Sequence, residues 1–161
     1  MTRINVVEPE HLVNKHLLAE YRELPRIFTL VENYHNKHNR LYTCNNNGDY
    51  IVKANPFYIM PIETTKPYTL GTGHVRFFYN KLNFLYIRHA LIVIELVKRG
   101  YKLNINKLEI KDCLLDKAYW GDYIPTQEAI ELNKARLIER LKTMRLNNED
   151  HERLQRFGYE I

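Results

Sequence analysis

Apolar residues in the first part of the chain recur at three- and four-residue spacing, which is the period of an amphipathic helix. Pro9 stands where the first turn of a helix tolerates a missing N–H, so we predict a helix over residues 9–23. Pro25 cannot continue that helix smoothly. The helix is therefore expected to kink or restart at Pro25 and to run on to about Tyr34.

Two later segments repeat this pattern. From Val75 one helical face stays apolar for about five turns, until Gly100 supplies the glycine that commonly follows a helix end. A third helix is predicted from Pro125 and Thr126, with a row of apolar residues on one side: Ile130, Leu137, Leu141 and Met144. The last ten residues are weakly patterned, and we predict no element there.

Residues 41–69 separate the first and second predicted helices and have no helical period. They contain three prolines and an Asn- and Gly-rich run at 45–49, which predict a long loop, and the β-prone Tyr50–Val52 allows one small hairpin within it. No βαβ alternation is visible. We therefore predict a mainly α fold: a single compact domain over residues 1–161, with about three main helices and long irregular loops.

The composition is that of one ordinary globular domain. The 161 residues have a mass of 19.4 kDa, and 45% of them are hydrophobic and 27% charged, which argues against a disordered tail, a collagen-like fibre or a coiled-coil rod. The longest apolar run is far short of the roughly 20 residues that span a bilayer. Two cysteines and an opening segment without the apolar core of a signal peptide favour the reducing cytoplasm and no membrane partner.

The positive charge is concentrated in one part of the chain. The formal net charge is +5, and residues 71–112 hold eight Lys or Arg against three Asp or Glu, whereas residues 113–161 hold eight against nine. A regional basic excess of this kind favours a polyanionic partner such as nucleic acid.

Cations and carboxylates occupy neighbouring stripes of the first predicted helix. One stripe has three cations at four- and seven-residue spacing, and the adjacent stripe has a histidine and two carboxylates: Lys15, Arg22 and Arg26 on the first, and His16, Glu20 and Glu23 on the second. Glu23 beside these arginines is suited to stabilise a cationic intermediate. Exposed ion pairs without a catalytic role fit the same pattern.

Three blocks of sequence have a distinctive order of residues. They are Met1–Asn5 with His16–Leu17 and Ala19–Arg26; Leu70–Tyr79 leading to Lys98–Gly100; and Gly121–Pro125 leading to Ala135–Leu137. In this order they closely resemble the phage-type pyrimidine dimer DNA glycosylases with AP-lyase activity. The blocks cover roughly half of the chain, which is far more than a short-motif coincidence.

This resemblance implies that the nucleophile is the α-amino group of Thr2, exposed once Met1 is removed, and that Glu23 stabilises the iminium formed with the sugar. An α-amine with a pKa of roughly 7.7–8.0 is about 10–17% neutral at pH 7, against about 0.04% for an ordinary lysine. Arg3 beside this amine would increase the neutral fraction further.

The resemblance also implies a set of DNA-binding residues. Arg3 and His16 lie within the site with Lys15 beside them, and four arginines hold the phosphates: Arg22, Arg26, Arg136 and Arg140. The expected partner is damaged double-stranded DNA, bound by a monomer. The expected chemistry needs no cofactor and no metal.

Some residues depart from the family pattern. The aromatic C-terminal segment that contacts the dimer has no clear counterpart, since only Phe157 and Tyr159 lie near the end, and Trp120 replaces an arginine. A lyase for another lesion or for abasic sites, and a non-catalytic DNA-binding relative, therefore stay open as alternatives. His35, His38 and Cys44 resemble part of a zinc site but have no clear fourth ligand.

Overall fold

The computed structural model describes residues 3–44, 46–54, 58–103 and 116–161, and the predicted mainly α class is confirmed. The described part contains five α-helices: α1 (Asn14–Glu23), α2 (Pro25–His38), α3 (Leu82–Lys98), α4 (Gln127–Leu141) and α5 (Asn148–Arg156). It also contains two strands, β1 (Arg40–Cys44) and β2 (Tyr50–Ala54), and four 3₁₀ turns: Pro9–His11, Ile62–Thr65, Arg76–Phe78 and Lys117–Tyr119.

The first predicted helix is divided into shorter pieces. Pro9 begins only a 3₁₀ turn, and α1 starts at Asn14 because the backbone of Leu12 and Val13 is extended. The restart at Pro25 is confirmed: Leu24 keeps helical dihedral angles, and Pro25 takes the first position of α2. The two helices therefore follow one another with no loop between them.

The second predicted helix begins later than its pattern suggests. Lys81 has non-helical dihedral angles (φ −127°, ψ 38°), and its buried ammonium donates to the carbonyl oxygens of Thr64 at 3.1 Å and Phe77 at 2.9 Å. Burial lowers the pKa of Lys81 to about 8. These bonds tie the 3₁₀ turn at 62–65 to the start of α3.

Of the two C-terminal helices, the sequence pattern predicts α4 but not α5. Thr126 caps α4, since its hydroxyl accepts from the N–H of Ala129, and this agrees with the predicted start. No helix was predicted in the region of α5. Asn147 and Asp150 form a capping box at its start, and Leu154 is its one buried residue, which explains the weak apolar pattern.

Part of the predicted loop at 41–69 forms the small hairpin, which confirms that prediction. Strand β1 pairs antiparallel with β2, from Arg40 opposite Ala54 to Cys44 opposite Tyr50. Beyond the hairpin, the buried Asn39 side chain bonds both the N–H and the carbonyl of Ile59, at 2.7 and 3.0 Å. These two hydrogen bonds hold Ile59, which follows the hairpin, against Asn39 at the end of α2.

The histidine considered as a metal ligand is used in packing. His35 is buried, and its Nδ1 lies 2.8 Å from the hydroxyl oxygen of Tyr119, which is fully buried. Within the described ranges, no group of three His, Cys, Asp or Glu residues is arranged to hold a metal. Trp120 is partly buried and packs against the core, with its ring 6.1 Å from that of Phe28.

The core lies between α1, α2, α3 and α4 and includes the N-terminal segment. The fully buried side chains include Leu17, Ile27, Leu85 and Ile92 from the helices and Ile4 from the segment before α1. In the part of the chain that the structure describes, no helix is long and apolar enough to cross a membrane.

Burial lowers the pKa of four histidines: His11, His16, His74 and His89. In the unfolded chain each takes up a proton below about pH 6.5, whereas the folded state disfavours that proton. The stability that these four histidines contribute is therefore fully present above about pH 6.5. It is lost as the pH falls from there towards their lowered pKa values in the folded state.

We expect the free energy of unfolding, measured by urea denaturation, to be lower at about pH 5.5 than at about pH 7.5. His89→Phe preserves the stacking on Tyr21, whose ring lies 5.6 Å away, and removes one of the titrating groups. That variant should lose less stability over the same interval. Equal values at the two pH values in the parent protein would contradict this explanation.

Candidate active site

The N-terminal segment, residues 4–7, is mostly buried and belongs to no helix or strand of the part of the chain that the structure describes. Buried backbone N–H and C=O groups need hydrogen-bond partners, and here side chains supply them. The N–H of Ile4 donates to Nε2 of His74 at 2.8 Å, and the hydroxyl of Tyr68 donates to the carbonyl of Ile4 at 2.9 Å. The loop before α3 thus holds the start of the segment from both sides.

Three helices hold the remainder of the N-terminal segment. Oδ1 of Asn133, on α4, accepts from the N–H of Val6 at 2.7 Å and from that of Val7 at 3.2 Å. Nη1 of Arg88, on α3, donates to the carbonyl of Val7 at 2.9 Å. Oε1 of Glu20, on α1, accepts from the N–H of Asn5 at 3.0 Å.

Glu20 and Arg88 form a buried ion pair beneath this segment. Their side chains are 1% and 6% exposed, with Nε of Arg88 2.6 Å from Oε1 and Nη2 3.0 Å from Oε2 of Glu20. Both carboxylate oxygens also accept from Asn5. Both carboxylate oxygens of Glu20 are therefore occupied by hydrogen bonds to Arg88 and to the N-terminal segment.

A pocket of about 90 Å³ opens beside the N-terminal segment, between α1 and α4. Most of the residues predicted for the site line it, together with several not predicted: Arg3, Asn5, His16, Ala19, Glu20, Glu23, Leu70, Asn133, Arg136, Leu137 and Arg140. The pocket therefore joins one carboxylate-rich helix face to three arginines from two distant parts of the chain.

The three arginines are close enough to affect one another. The pKa of Arg3 is lowered first by burial and then by the charges of Arg140 and Arg136. Arg136 also donates to the exposed Glu139, one turn further along α4, at 2.8 Å. A cluster of cations that repel one another gains stability from a bound anion, and phosphate is the common anion of this kind.

The two remaining polar groups of the pocket belong to α1. Glu23 is 26% exposed, and its Oε2 lies 3.1 Å from Nη1 of Arg26. The pKa of His16 is lowered by burial and by the charges of Arg140 and Lys15, which outweigh the opposite effect of Asp150 and Glu20. Burial and the neighbouring cations therefore favour the neutral form of the His16 imidazole.

A comparison with known families supplies the remaining observation. The family model for pyrimidine dimer DNA glycosylase matches residues 1–109, which is more than half of the 161 residues. The match includes the N-terminal segment, α1, α2 and α3.

The chain belongs to the pyrimidine dimer DNA glycosylase family. It is thus a DNA repair glycosylase, and its substrate is DNA. The family resemblance inferred from the sequence is confirmed.

Other site residues predicted from the sequence lie outside the pocket of the glycosylase. Lys15, Arg22 and Arg26 are exposed on α1 and α2 and are absent from the described lining. They form a cationic surface next to the pocket wall that carries His16 and Glu23. Thr2 lies outside the described residues.

The C-terminal aromatic residues of the glycosylase pack against the N-terminal turn. Phe157 stacks on His11 with ring centroids 4.2 Å apart, and the hydroxyl oxygen of Tyr159 lies 3.3 Å from Nδ1 of His11. Neither aromatic residue is among the described residues that line the pocket.

Sequence reasoning missed the residues that hold the N-terminal segment. Arg88 lies between Leu85 and Ile92 on the buried face of α3, and Asn133 lies four residues before Leu137 on that of α4. A polar residue at a core position of a helical pattern is the signal that could have found both, because such groups are buried only with partners.

The variants Glu20→Gln and Glu23→Gln are expected to show that the two carboxylates contribute very differently to the stability of the fold. Glu20→Gln leaves Arg88 buried without its counter-charge, so the free energy of unfolding should fall by about 3–5 kcal/mol. Glu23→Gln breaks a partly exposed pair and should cost less than about 1 kcal/mol. Chemical denaturation measures both values, and similar losses in the two variants would rule out this division.

Proposed function

We propose that this glycosylase cleaves the glycosidic bond at pyrimidine dimers and then nicks the strand as an AP lyase, with the α-amine of Thr2 as the nucleophile. The observation that carries the proposal is the pocket that combines Arg3 with Glu23, Arg136 and Arg140. Thr2 directly precedes Arg3 in the sequence, and Arg3 lines this pocket.

The amine attacks C1′ of the damaged nucleotide, and the bond from C1′ to the base breaks, with the electron pair leaving on the base. Ring opening gives a protonated Schiff base between Thr2 and the sugar. Loss of a C2′ proton then expels the 3′ phosphate by β-elimination. Hydrolysis of the imine releases the amine, so no redox partner is consumed.

Glu23 is the carboxylate suited to this chemistry. Its charge faces the pocket where the iminium forms and stabilises that cation, and it can accept the proton that is lost in the elimination. Glu20 lines the same pocket, but its two oxygens are already bonded to Arg88 and Asn5.

The arginines of the proposed site hold the DNA backbone. Arg136 and Arg140 bind phosphates from the α4 side, while Arg22 and Arg26 do so on the exposed faces of α1 and α2. The pocket volume of about 90 Å³ is well below the roughly 300 Å³ of sites that enclose a small molecule, which supports attack on the sugar rather than capture of the whole lesion.

A second candidate is a glycosylase and lyase that acts on another lesion or on abasic sites. It is favoured by the inward packing of Phe157 and Tyr159 on His11, because aromatic rings engaged there are not available to stack on a dimer. A nicking assay on a dimer-containing duplex and on an abasic duplex separates the two candidates. The first candidate predicts cleavage of both duplexes. The second predicts cleavage of the abasic duplex and no cleavage of the dimer-containing duplex.

Borohydride reduction during the reaction is expected to trap a covalent adduct between the protein and a dimer-containing duplex, with the linkage at Thr2 identified by mass spectrometry. An acetylated N-terminus or a retained Met1 should give no adduct, and Glu23→Gln should give little strand scission. Activity should persist in EDTA. Equal cutting by the blocked and unblocked proteins would end the proposal.

Arg136→Ala is expected to weaken binding of abasic-analogue DNA uniformly across sequences. The slope of log K against log salt concentration should become shallower by about one unit, because one phosphate contact is lost. Arg156→Ala, an exposed arginine at the end of α5 outside the pocket lining, is the matched control and should leave the slope unchanged. An unchanged slope for Arg136→Ala would remove this residue from the interface.

A further inference from the structure

His74 is a buried histidine whose two ring nitrogens are both occupied. Nδ1 lies 2.7 Å from the carbonyl oxygen of Thr69, and Nε2 lies 2.8 Å from the backbone nitrogen of Ile4. A carbonyl oxygen can only accept and a backbone N–H can only donate, so Nδ1 carries the proton and Nε2 is the acceptor. The ring is therefore neutral and fixed in one tautomer.

This arrangement excludes one kind of role and indicates another. A proton taken up at Nε2 would remove the acceptor for Ile4, so His74 cannot serve as a general acid or base without losing the bond it makes. The rings of Tyr68 and Phe78 lie 5.4 and 5.6 Å away, and the charges of Arg3 and Glu20 also act on the imidazole. The role left for His74 is to hold the backbone of Ile4 in place.

The bond to Ile4 is the backbone contact nearest to the chain start among those that hold the N-terminal segment. Glu20, Arg88 and Asn133 bind residues 5–7, whereas His74 and Tyr68 bind Ile4. Arg3, which directly precedes Ile4 in the sequence, lines the pocket, so a fixed Ile4 limits the reach of the chain before it to about 3.6 Å per residue.

The turn that delivers His74 is itself fixed by packing. Gly73 has φ +92°, and a Cβ added there would lie 2.8 Å from Cγ of Glu63. Only glycine meets both conditions without a shift of the neighbouring side chain. The imidazole therefore follows a glycine whose conformation and close approach to Glu63 fix the backbone at this point of the turn.

We propose that His74 is a positioning residue of the glycosylase: the hydrogen bond from Ile4 N–H to its Nε2 fixes the chain end that carries the attacking amine. This inference rests on the proposed amine nucleophile. Its consequence is that loss of the bond slows formation of the covalent intermediate far more than it weakens DNA binding, since the phosphate-binding arginines of α1, α2 and α4 stay in place and only Arg3 is released.

The two hydrogen bonds of the His74 ring can be tested one at a time with two amide variants whose side chains differ by one methylene group. His74→Gln places an amide oxygen near the position of Nε2 and keeps an acceptor for Ile4. His74→Asn places its amide near Nδ1, keeps the donor to Thr69 and leaves the N–H of Ile4 without a partner.

We expect His74→Asn to lower the single-turnover rate of borohydride trapping on an abasic duplex by about 10-fold or more, the order of effect of a buried N–H left unpaired. His74→Gln should recover most of that rate. The Kd for a duplex that contains a tetrahydrofuran abasic analogue, which lacks the reactive aldehyde, should differ among the three proteins by much less than the trapping rate does. Amide hydrogen exchange at Ile4 should be fast only in the Asn variant.

The proposal is overturned if His74→Asn traps at the parental rate, if Gln and Asn are equally slow, or if the rate falls only in parallel with DNA affinity. Should the Asn variant not fold, replacing the amide between Arg3 and Ile4 with an ester removes the same N–H and leaves His74 intact. A slowed ester variant supports the proposal, and a parental rate refutes it.

Failure of the proposed function gives a different result. In that case the parent protein cuts DNA without a trapped adduct, while exchange at Ile4 still distinguishes His74→Asn from His74→Gln.

Discussion

The structure depends on a stretch of backbone that is buried without belonging to a sheet. Residues 4–7 enter the core without helical or strand structure, and their polar groups must be paired there because an unpaired group costs about 1–3 kcal/mol. Side chains from the loop before α3 and from α1, α3 and α4 provide the pairs. The same bonds that satisfy the backbone therefore fix where four separate elements lie relative to the chain start, and with them the walls of the pocket.

This requirement explains why two glutamates one helical turn apart have such different surroundings. Glu20 faces the buried segment and needs the guanidinium of Arg88, since an isolated carboxylate could not stay ionised there. Glu23 faces the pocket near Arg26 and keeps contact with solvent. One helix thus anchors the N-terminal segment through Glu20 and presents the charged Glu23 to the pocket.

Local signals made much of the fold predictable. The restart at Pro25, the hairpin around Tyr50 and the start of α4 at Thr126 each follow from one or two residues acting on their own backbone. The contacts of the site are of another kind: the bond between Ile4 and His74 spans 70 positions, and that between Val6 and Asn133 spans 127. Spacing within one helix placed His16 and Glu23 correctly on one face, but it holds no information about a partner so far along the chain.

The bond between Val6 and Asn133 also sets an order of events during synthesis. The ribosome makes the first residues of the site early, yet their backbone partners on α4 emerge only after more than a hundred further residues. Until then the opening segment has no complete set of acceptors and the arginine wall of α4 is missing. A nascent or prematurely terminated chain therefore lacks both the side chain that pairs the backbone of Val6 and Val7 and the two arginines that complete the pocket wall, so the pocket can form only after the fourth helix has been translated.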